Sequence, residues 1–365
     1  MQTSDFDYDL PEELIAQEPA PRRDGSRLLV LDRQRDTLED RRFEELAELL
    51  PTDALLVLND SRVFPARLRG QKPTGGGVEV LLVSPRPPGP GDDAPNHCVW
   101  HCLCRSSKGL APGAKVRFGG AGEAPAVVAT VRQLHPGGGA DLDFTRPGGS
   151  PIGGSDWLMD WATDVGETPL PPYIRRPGGE RDLDRDRYQT VYAAERGSVA
   201  APTAGLHFTV PLLEALTQRG LELAYLTLHV GPGTFRPVRS DSVGEHHMDA
   251  ERVQVTPQLA DAVRRAKAAQ RPVLAVGTTT VRALEGMASA PGQLDAGDSE
   301  VSLFITPGHE FRIVDGLITN FHLPRSTLLM LVSALAGRDP VLAAYRHAVR
   351  EGYRFYSYGD AMLIR

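Results

Sequence analysis

Three histidines in this chain stand at corners built from glycine, threonine and proline. His207 closes "SVAAPTAGLHF", His229 sits in "TLHVGPGTFRPV", and His322 sits in "NFHLPRST". Imidazole titrates near neutrality, which suits it to moving protons, and small neighbours let the backbone approach a ligand closely. A fourth segment, "AVGTTTVRALE", runs a buried strand into Gly277, Thr278 and Thr279, then into a helix carrying Arg282. Free N–H groups at a helix start, with hydroxyls and an Arg one turn in, suit a carboxylate or phosphate. Ordinary capping by threonine accounts for the same pattern equally well. Open α/β sheets bind ligands at the carboxyl ends of their strands, so convergence of these four segments is expected. The turn Gly231-Pro232-Gly233 lacks a third glycine, which excludes a dinucleotide-binding fingerprint.

Two other clusters resemble metal sites. In "HCVWHCLC", Cys98, Cys102 and Cys104 share one strand face with Trp100, while His97 and His101 take the other. Residues four apart on a strand lie roughly 13 Å apart, too far for two thiolates on one zinc, so a core strand is expected. In "GEHHMDAE", His246, His247 and the nearby carboxylates lack an HExxH spacing, and a proton-transfer role for His246, a metal role and a plain surface loop all stay open.

The elements that must position these groups change texture along the chain. "LLVLN", Leu55 to Asn59, reads as a buried strand. From Arg62 to Ser150 short alternating segments are separated by clusters such as "KPTGGG" and "SPRPPGPGDDAP", the pattern of a small β-barrel. Gly148 to Gly154 reads as the linker back. Beyond it the pattern is α/β: Thr209 caps a helix ended by Gly220, "LELAYLTLHV" is a strand, Pro257 to Ala269 a helix, and Arg271 to Val276 a strand. "SLFI", "FRIVDGLITNF" and "YRFYSYGDAMLI" read as strands, and Arg325 to Gly337 as an apolar helix. The expected fold is α/β, a mixed sheet with helices over residues 1–61 and 151–365, interrupted by an inserted β-barrel over residues 62–150.

The 365 residues carry three Cys and a net charge of −7. An acidic N-terminus, no apolar run of about 20 residues and no disulfide framework point to a cytoplasmic protein with no membrane contact. Charge is uneven. Arg62 to Ser150 holds eleven Lys/Arg and six Asp/Glu, a balance of +5, leaving −12 elsewhere. A basic module in an acidic chain offers a polyanion one landing place, although short windows also drift by a few charges.

Taken in order, "FDYDLPEELIAQEPAPRRDGSRLLVLDR", "LLVLNDSRVFPARLRG", "LPPYIRRP", "YQTVYAAERGSVAAPTAGLHFT", "TLHVGPGTFRPV", "VGTTTVRALE", "DGLITNFHLPRSTLLMLVSALAG" and "YRFYSYGDAMLI" resemble the S-adenosylmethionine:tRNA ribosyltransferase-isomerase family of queuosine biosynthesis. The resemblance spans nearly the whole chain. It implies an α/β domain with an inserted β-barrel. It also implies transfer and isomerisation of the ribosyl part of S-adenosylmethionine onto 7-aminomethyl-7-deazaguanine at the tRNA wobble position. Epoxyqueuosine-tRNA forms, and adenine and methionine leave. S-adenosylmethionine is then a co-substrate; no prosthetic group and no metal are implied, and a monomer is expected.

Carried residue by residue, the resemblance covers Arg23, Arg27, Asn59, Arg62, Arg67, Arg105, Ser107, Lys108, Tyr188 and Gln189. It also covers Pro202 to Phe208, His229 to Phe235, Gly277 to Thr279 with Arg282, and Asn320 to Pro324. Asp249 departs from it, standing where a second histidine is common. Proton transfer falls to His207, His229 or His322, with the choice open. Thr278, Thr279 and Arg282 are candidates for the donor's carboxylate, and Phe208 or Tyr188 for a cation–π contact with its sulfonium. Arg27, Asn59, Thr203, Gly231, Gly233 and Asn320 complete the expected substrate contacts. Arg62, Arg67, Arg69, Arg105, Lys108 and Lys115 are the expected tRNA contacts.

Three competing functions remain. A tRNA-binding protein without chemistry gives no reason for the Gly/Thr/His corners. A metal-dependent hydrolase would use His229, His246 and His247. A tRNA-guanine exchange enzyme would need a Cys-rich zinc site that the three cysteines do not make.

Overall fold

The structure is a computed structural model that describes residues 1–87, 97–119, 127–146, 156–177, 179–231, 233, 240–246 and 248–365. The chain divides into two units: Met1–Arg62, Pro171–Gly179 and Arg185–Arg365 form the first, and Val63–Leu170 with Glu180–Asp184 the second. The expected linker, and the expected return to the first unit at 151, fall largely outside the described residues. The second unit continues to Leu170 because the helix Asp156–Val165 and the segment after it pack on the barrel. There the Arg67 backbone pairs with Glu167, and Arg67 Nη2 donates to the Leu170 carbonyl at 2.8 Å.

The first unit is built on a nine-stranded mixed sheet. Its order is Gly297–Val301, Glu251–Val255, Glu222–Leu228, Leu55–Asn59, Val273–Val276, Gly316–Asn320, Ala361–Ile364, Arg27–Asp32 and Thr37–Arg42. The four strands from Glu222–Leu228 to Gly316–Asn320 run parallel, with Leu55 opposite both Glu222 and Val273, and Leu274 opposite Gly316. Three of these strands are continuous apolar runs, as burial on both faces demands, and every residue of Leu55–Asn59, Val273–Val276 and Gly316–Asn320 is buried. Their carboxyl ends lie along one edge. Asn59, His229, Gly277 and Phe321 therefore leave the sheet on the same side.

Helices cover both faces. Thr209 caps Val210–Gln218, its Oγ1 accepting from the Leu212 N–H at 3.3 Å, and Gly220 stops the chain at φ +101°. Thr256 and Ser326 cap Pro257–Ala268 and Thr327–Ala336 in the same way. The apolar pair Thr327–Ala336 and Arg338–Arg350 bends by 116°; no single described helix is long and apolar enough to cross a membrane. Three expected strands are shorter or displaced. "SLFI" follows the edge strand Gly297–Val301 instead of forming one, "FRIVDGLITNF" pairs only over Gly316–Asn320, and "YRFYSYGDAMLI" only over Ala361–Ile364. Arg354 to Gly359 is diverted into a bend whose residue Tyr356 has φ +72°.

The second unit contains a closed six-stranded antiparallel barrel, in the order Gly139–Thr145, His97–Ser106, Gly77–Pro85, Arg67–Gln71, Lys115–Phe118 and Val127–Leu134. Alternation fills the inside with Val78, Val80, Leu82, Phe118, Leu142 and Phe144. Gly70 lets the barrel close, since a Cβ there would lie 2.7 Å from Phe118 and Val116. Trp100 and Cys102 are buried in this interior, as a core strand requires. Burial pushes the Cys98 thiol up to about 12 and Cys104 up to about 11, which leaves both protonated and poor metal ligands.

Candidate active site

Pro202, Thr203 and Ala204 meet Gly277, Thr278 and Thr279, and Thr319 to Pro324, around one cavity at the carboxyl edge of the parallel strands. Tyr173, Tyr356 and Ser357 close another wall. Among the described lining residues none is Lys, Arg, Asp or Glu. The small-residue run ending at His207 has its explanation in close approach. A Cβ on Gly205 would lie 2.1 Å from the Tyr192 hydroxyl, and one on Gly197, at φ +139°, 2.9 Å from the His229 ring.

Thr278 and Thr279 open the helix Thr278–Gly286 from Gly277, whose φ of +92° turns the chain directly out of the strand. Thr280 turns away and donates its hydroxyl to the Val276 carbonyl at 2.6 Å. The first two threonines thus face the cavity with first-turn N–H groups that the helix cannot satisfy. Arg282 does not line the cavity. Its Nη1 meets Glu251 Oε2 at 2.5 Å, its Nε donates to the Leu303 carbonyl, and the other Glu251 oxygen accepts from the Gly231 N–H at 3.1 Å. The buried pair therefore ties the Gly231 corner to the helix. Its burial inside that pair keeps Arg282 from the carboxylate-binding place expected of it.

The three histidines take three different environments. His322 lines the cavity, braced by Thr319 Oγ1 at 2.9 Å from its Nε2 and by its backbone N–H donating to the Tyr345 hydroxyl. Burial pushes it down to about 3, so it is neutral at pH 7. His207 lies on the far side of Asn320, in a second concavity with Arg23 and Arg187. Its Nδ1 is 2.8 Å from Ser26 Oγ, its Nε2 is 3.0 Å from Asn320 Nδ2, and its ring stacks on Phe43. Burial, helped by Arg354 and Arg23, pushes it down to about 3 as well. His229 packs beside Gly197 with a buried Nδ1 that has no partner among the described residues; burial and Arg252 lower its pKa. It lines neither cavity.

Asn320 is 3% exposed and divides the two concavities. Its Nδ2 donates to the Tyr356 carbonyl at 3.1 Å and to His207, which uses both hydrogens and fixes the amide orientation. Its Oδ1 is buried and has no partner among the described residues. The same holds for the Tyr356 hydroxyl. Tyr356 packs against Tyr173 with ring centroids 4.2 Å apart and the rings tilted by 48°, and the Tyr173 hydroxyl is 2.6 Å from Ser357 Oγ. A tyrosine in the left-handed region costs about 1–3 kcal/mol, a strain that functional sites often hold.

Other expected contacts are spent elsewhere. Phe208 is fully buried under Phe43 and Tyr192, and Tyr188 is buried edge-on to Tyr358, so neither ring faces the cavity. Asn59 bridges strand ends, donating to the Leu228 carbonyl and accepting from the Leu228 and Ser61 N–H groups. Arg27 lies 3.7 Å over the Tyr353 ring and donates to the Glu351 carbonyl. Gly233 packs against Asp249. Pro232, Thr234, Phe235 and His247 lie outside the described residues. Reading the sequence missed Ser26, Tyr173 and Tyr356, although all three fall within quoted motifs.

Arg62 is exposed in the first unit. On the barrel, Arg105, Lys108 and Lys115 are exposed, whereas Arg69 is clamped by Glu167 at 2.7 and 3.0 Å. His101, His135 and Asp141 gather there within metal-binding reach, and Arg86 Nε already shares the Asp141 carboxylate at 3.2 Å.

Residues 3–364 match the model of a family described as a queuosine biosynthesis protein. A protein of Nitratidesulfovibrio vulgaris (strain DP4), named S-adenosylmethionine:tRNA ribosyltransferase-isomerase, is 51% identical over 99% of this chain and 97% of its own length. One of the same name from Geotalea uraniireducens is 50% identical, with both chains covered completely. The crystal structure of an S-adenosylmethionine tRNA ribosyltransferase from Thermotoga maritima is 37% identical, covers 99% of this chain and 100% of its own, and superposes with a TM-score of 0.53.

Proposed function

This chain belongs to the S-adenosylmethionine:tRNA ribosyltransferase-isomerase family of queuosine biosynthesis, and from that premise we infer how its residues divide the work. It is a transferase that moves and isomerises the ribosyl moiety of S-adenosylmethionine onto 7-aminomethyl-7-deazaguanine in tRNA, giving epoxyqueuosine-tRNA, adenine and methionine. The donor occupies the cavity between Thr278, Asn320 and Tyr356. The observation that carries this reading is a neutral, aromatic-walled cavity at the carboxyl edge of a parallel sheet, entered by a helix N-terminus.

In this reading Thr278 and Thr279 receive the donor carboxylate through first-turn N–H groups and hydroxyls. His322 is the proton-transferring residue. The sulfonium acidifies the adjacent 5′-methylene, and the neutral imidazole accepts that proton as the bond to adenine breaks. The imidazole then returns that proton to the departing adenine, a shuttle that rests on its place in the cavity wall. His207 is a positioning residue that holds Asn320. The aminomethyl nitrogen of the tRNA base bonds as a neutral amine to a carbon of the ribosyl unit and loses a proton, and methionine leaves with the carbon–sulfur bonding pair as a ribosyl oxygen closes the epoxide.

The exposed Arg105, Lys108 and Lys115 of the barrel unit contact tRNA phosphates, as does Arg62 of the first unit, while Arg67 and Arg69 are held by Leu170 and Glu167 within the barrel unit. No prosthetic group or metal enters the reaction. The enzyme acts as a monomer in the cytoplasm. Incubation with S-adenosylmethionine and tRNA carrying 7-aminomethyl-7-deazaguanine should release free adenine, and His322→Ala should lower that release by about 10²-fold or more. Unchanged release by the variant discards the assignment.

A further inference from the structure

Two buried polar atoms, on residues that line the cavity, have no partner among the described residues, and the two residues hold each other in place. Asn320 spends both amide hydrogens, on the Tyr356 carbonyl and His207, and leaves Oδ1 as an empty acceptor. Tyr356 is held with φ +72° by that bond and by the Gly359 N–H, which donates to the same carbonyl at 2.9 Å. Its hydroxyl is the second such group, buried and without a partner among the described residues. Buried polar groups are rarely left unpaired in a finished structure, so the pair marks what the cavity is built to receive.

We propose that Asn320 and Tyr356 recognise the adenine ring of the donor, Asn320 Oδ1 accepting from the exocyclic amine and the Tyr356 hydroxyl donating to a ring nitrogen. This rests on the reading that the donor occupies this cavity. The amino-acid end of the donor is the poorer occupant of this wall. It is zwitterionic, and its carboxylate is placed at the first-turn N–H groups of Thr278 and Thr279, which leaves the Asn320 and Tyr356 wall to the other end of the donor. Adenine is neutral and flat. It offers one donor group and several acceptors around its rim, and the tilted Tyr173–Tyr356 pair supplies an aromatic surface beside them. A hydroxyl directed at a ring nitrogen also favours the reaction, because departing adenine carries its developing negative charge on those nitrogens. Tyr356 is then a catalytic residue as well as a reader of the base. Asn320 separates adenine from hypoxanthine, since a 6-oxo group would set oxygen against oxygen.

The test uses the full-length enzyme, modified tRNA and four donors: S-adenosylmethionine, its 6-oxo analogue, and analogues with ring nitrogen 1 or 7 replaced by CH. Wild-type kcat/KM should fall at least tenfold for the 6-oxo donor and for one of the two CH donors. Tyr356→Phe keeps the ring and the packing. It should lower kcat/KM for S-adenosylmethionine at least tenfold and should erase the difference between the natural donor and that CH donor. Asn320→Ser, with folding checked by circular dichroism, should erase discrimination against the 6-oxo donor. Equal use of all four donors by the wild type overturns the inference, and so does a Tyr356→Phe variant that keeps every wild-type ratio. A wild type that releases no adenine from S-adenosylmethionine removes the underlying reading instead, a result separable from both.

Discussion

Asn320 donates to His207 across 3.0 Å, and that contact sets the imidazole's tautomer. Because Asn320 Nδ2 is the donor, His207 Nε2 must carry the lone pair, and the proton sits on Nδ1 facing Ser26 Oγ at 2.8 Å. Both ring nitrogens are occupied before any substrate arrives. His322, by contrast, presents its ring to the cavity.

Ser26→Ala therefore removes the acceptor for a buried Nδ1–H while touching nothing in the cavity. Leaving that donor unpaired should cost about 1–3 kcal/mol of folding stability, measured by chemical denaturation. Turnover should fall through kcat as Asn320 loses its fixed partner, with the pH profile unmoved. A shifted pH profile would return His207 to the role of acid or base.

Acid should weaken the fold early. His207 and His322 both sit at about 3 in the folded chain, and an unfolded histidine titrates near 6.5. The unfolded state consequently binds more protons throughout the window from 6.5 down to 3. Stability is complete above 6.5 and declines as pH falls through that window. The melting temperature should drop between pH 7 and pH 5, before most carboxylates titrate, and a flat profile there would contradict the buried neutral assignment.

How much of this was legible in the sequence depended on where the physical signal lay. Leu55–Asn59 and Val273–Val276 are apolar runs ended by Asn or Gly corners, so both could be read directly. Caps such as Thr209 announced themselves through hydroxyl and proline spacing. Tyr356 did not, because "YRFYSYGD" alternates like a strand, and only tertiary bonds from Asn320 and Gly359 bend it into the left-handed region. Arg282 misled for the opposite reason. A cation one turn into a helix resembles an anion site, and nothing local reveals that Glu251, thirty-one residues earlier, has already taken it.

That pair predicts a double-mutant cycle. Arg282 and Glu251 are almost entirely buried, so removing either partner leaves an uncompensated charge and should cost about 3–5 kcal/mol. Arg282→Met combined with Glu251→Leu should cost clearly less than the sum of the single changes, measured by urea denaturation. Additive losses would mean that the two side chains act independently.

The small-residue run makes a steric prediction. Gly205→Ala forces a methyl group to within 2.1 Å of the Tyr192 hydroxyl and 2.8 Å of Thr190 Cγ2. Overpacking of this kind typically costs about 1–3 kcal/mol, read as a lower melting temperature. Because Gly205 lies between Thr203 and His207, the KM for S-adenosylmethionine should rise as well. An unchanged KM would separate this segment from donor binding.

Salt dependence distinguishes the free cations of the barrel from the paired one. Each phosphate contact contributes about 0.7–0.9 to the slope of log affinity against log salt concentration. Arg105, Lys108 and Lys115 are exposed and pair with no carboxylate among the described residues, whereas Arg69 already spends its guanidinium on Glu167 through two bonds. Replacing the three free cations by Ala should weaken tRNA binding and flatten that slope by about 2, measured by filter binding from low to physiological salt. Arg69→Ala should change the slope by much less, because the charge it removes is largely neutralised beforehand. A triple variant with an unchanged slope would take the tRNA contact away from this surface and leave the barrel a structural module.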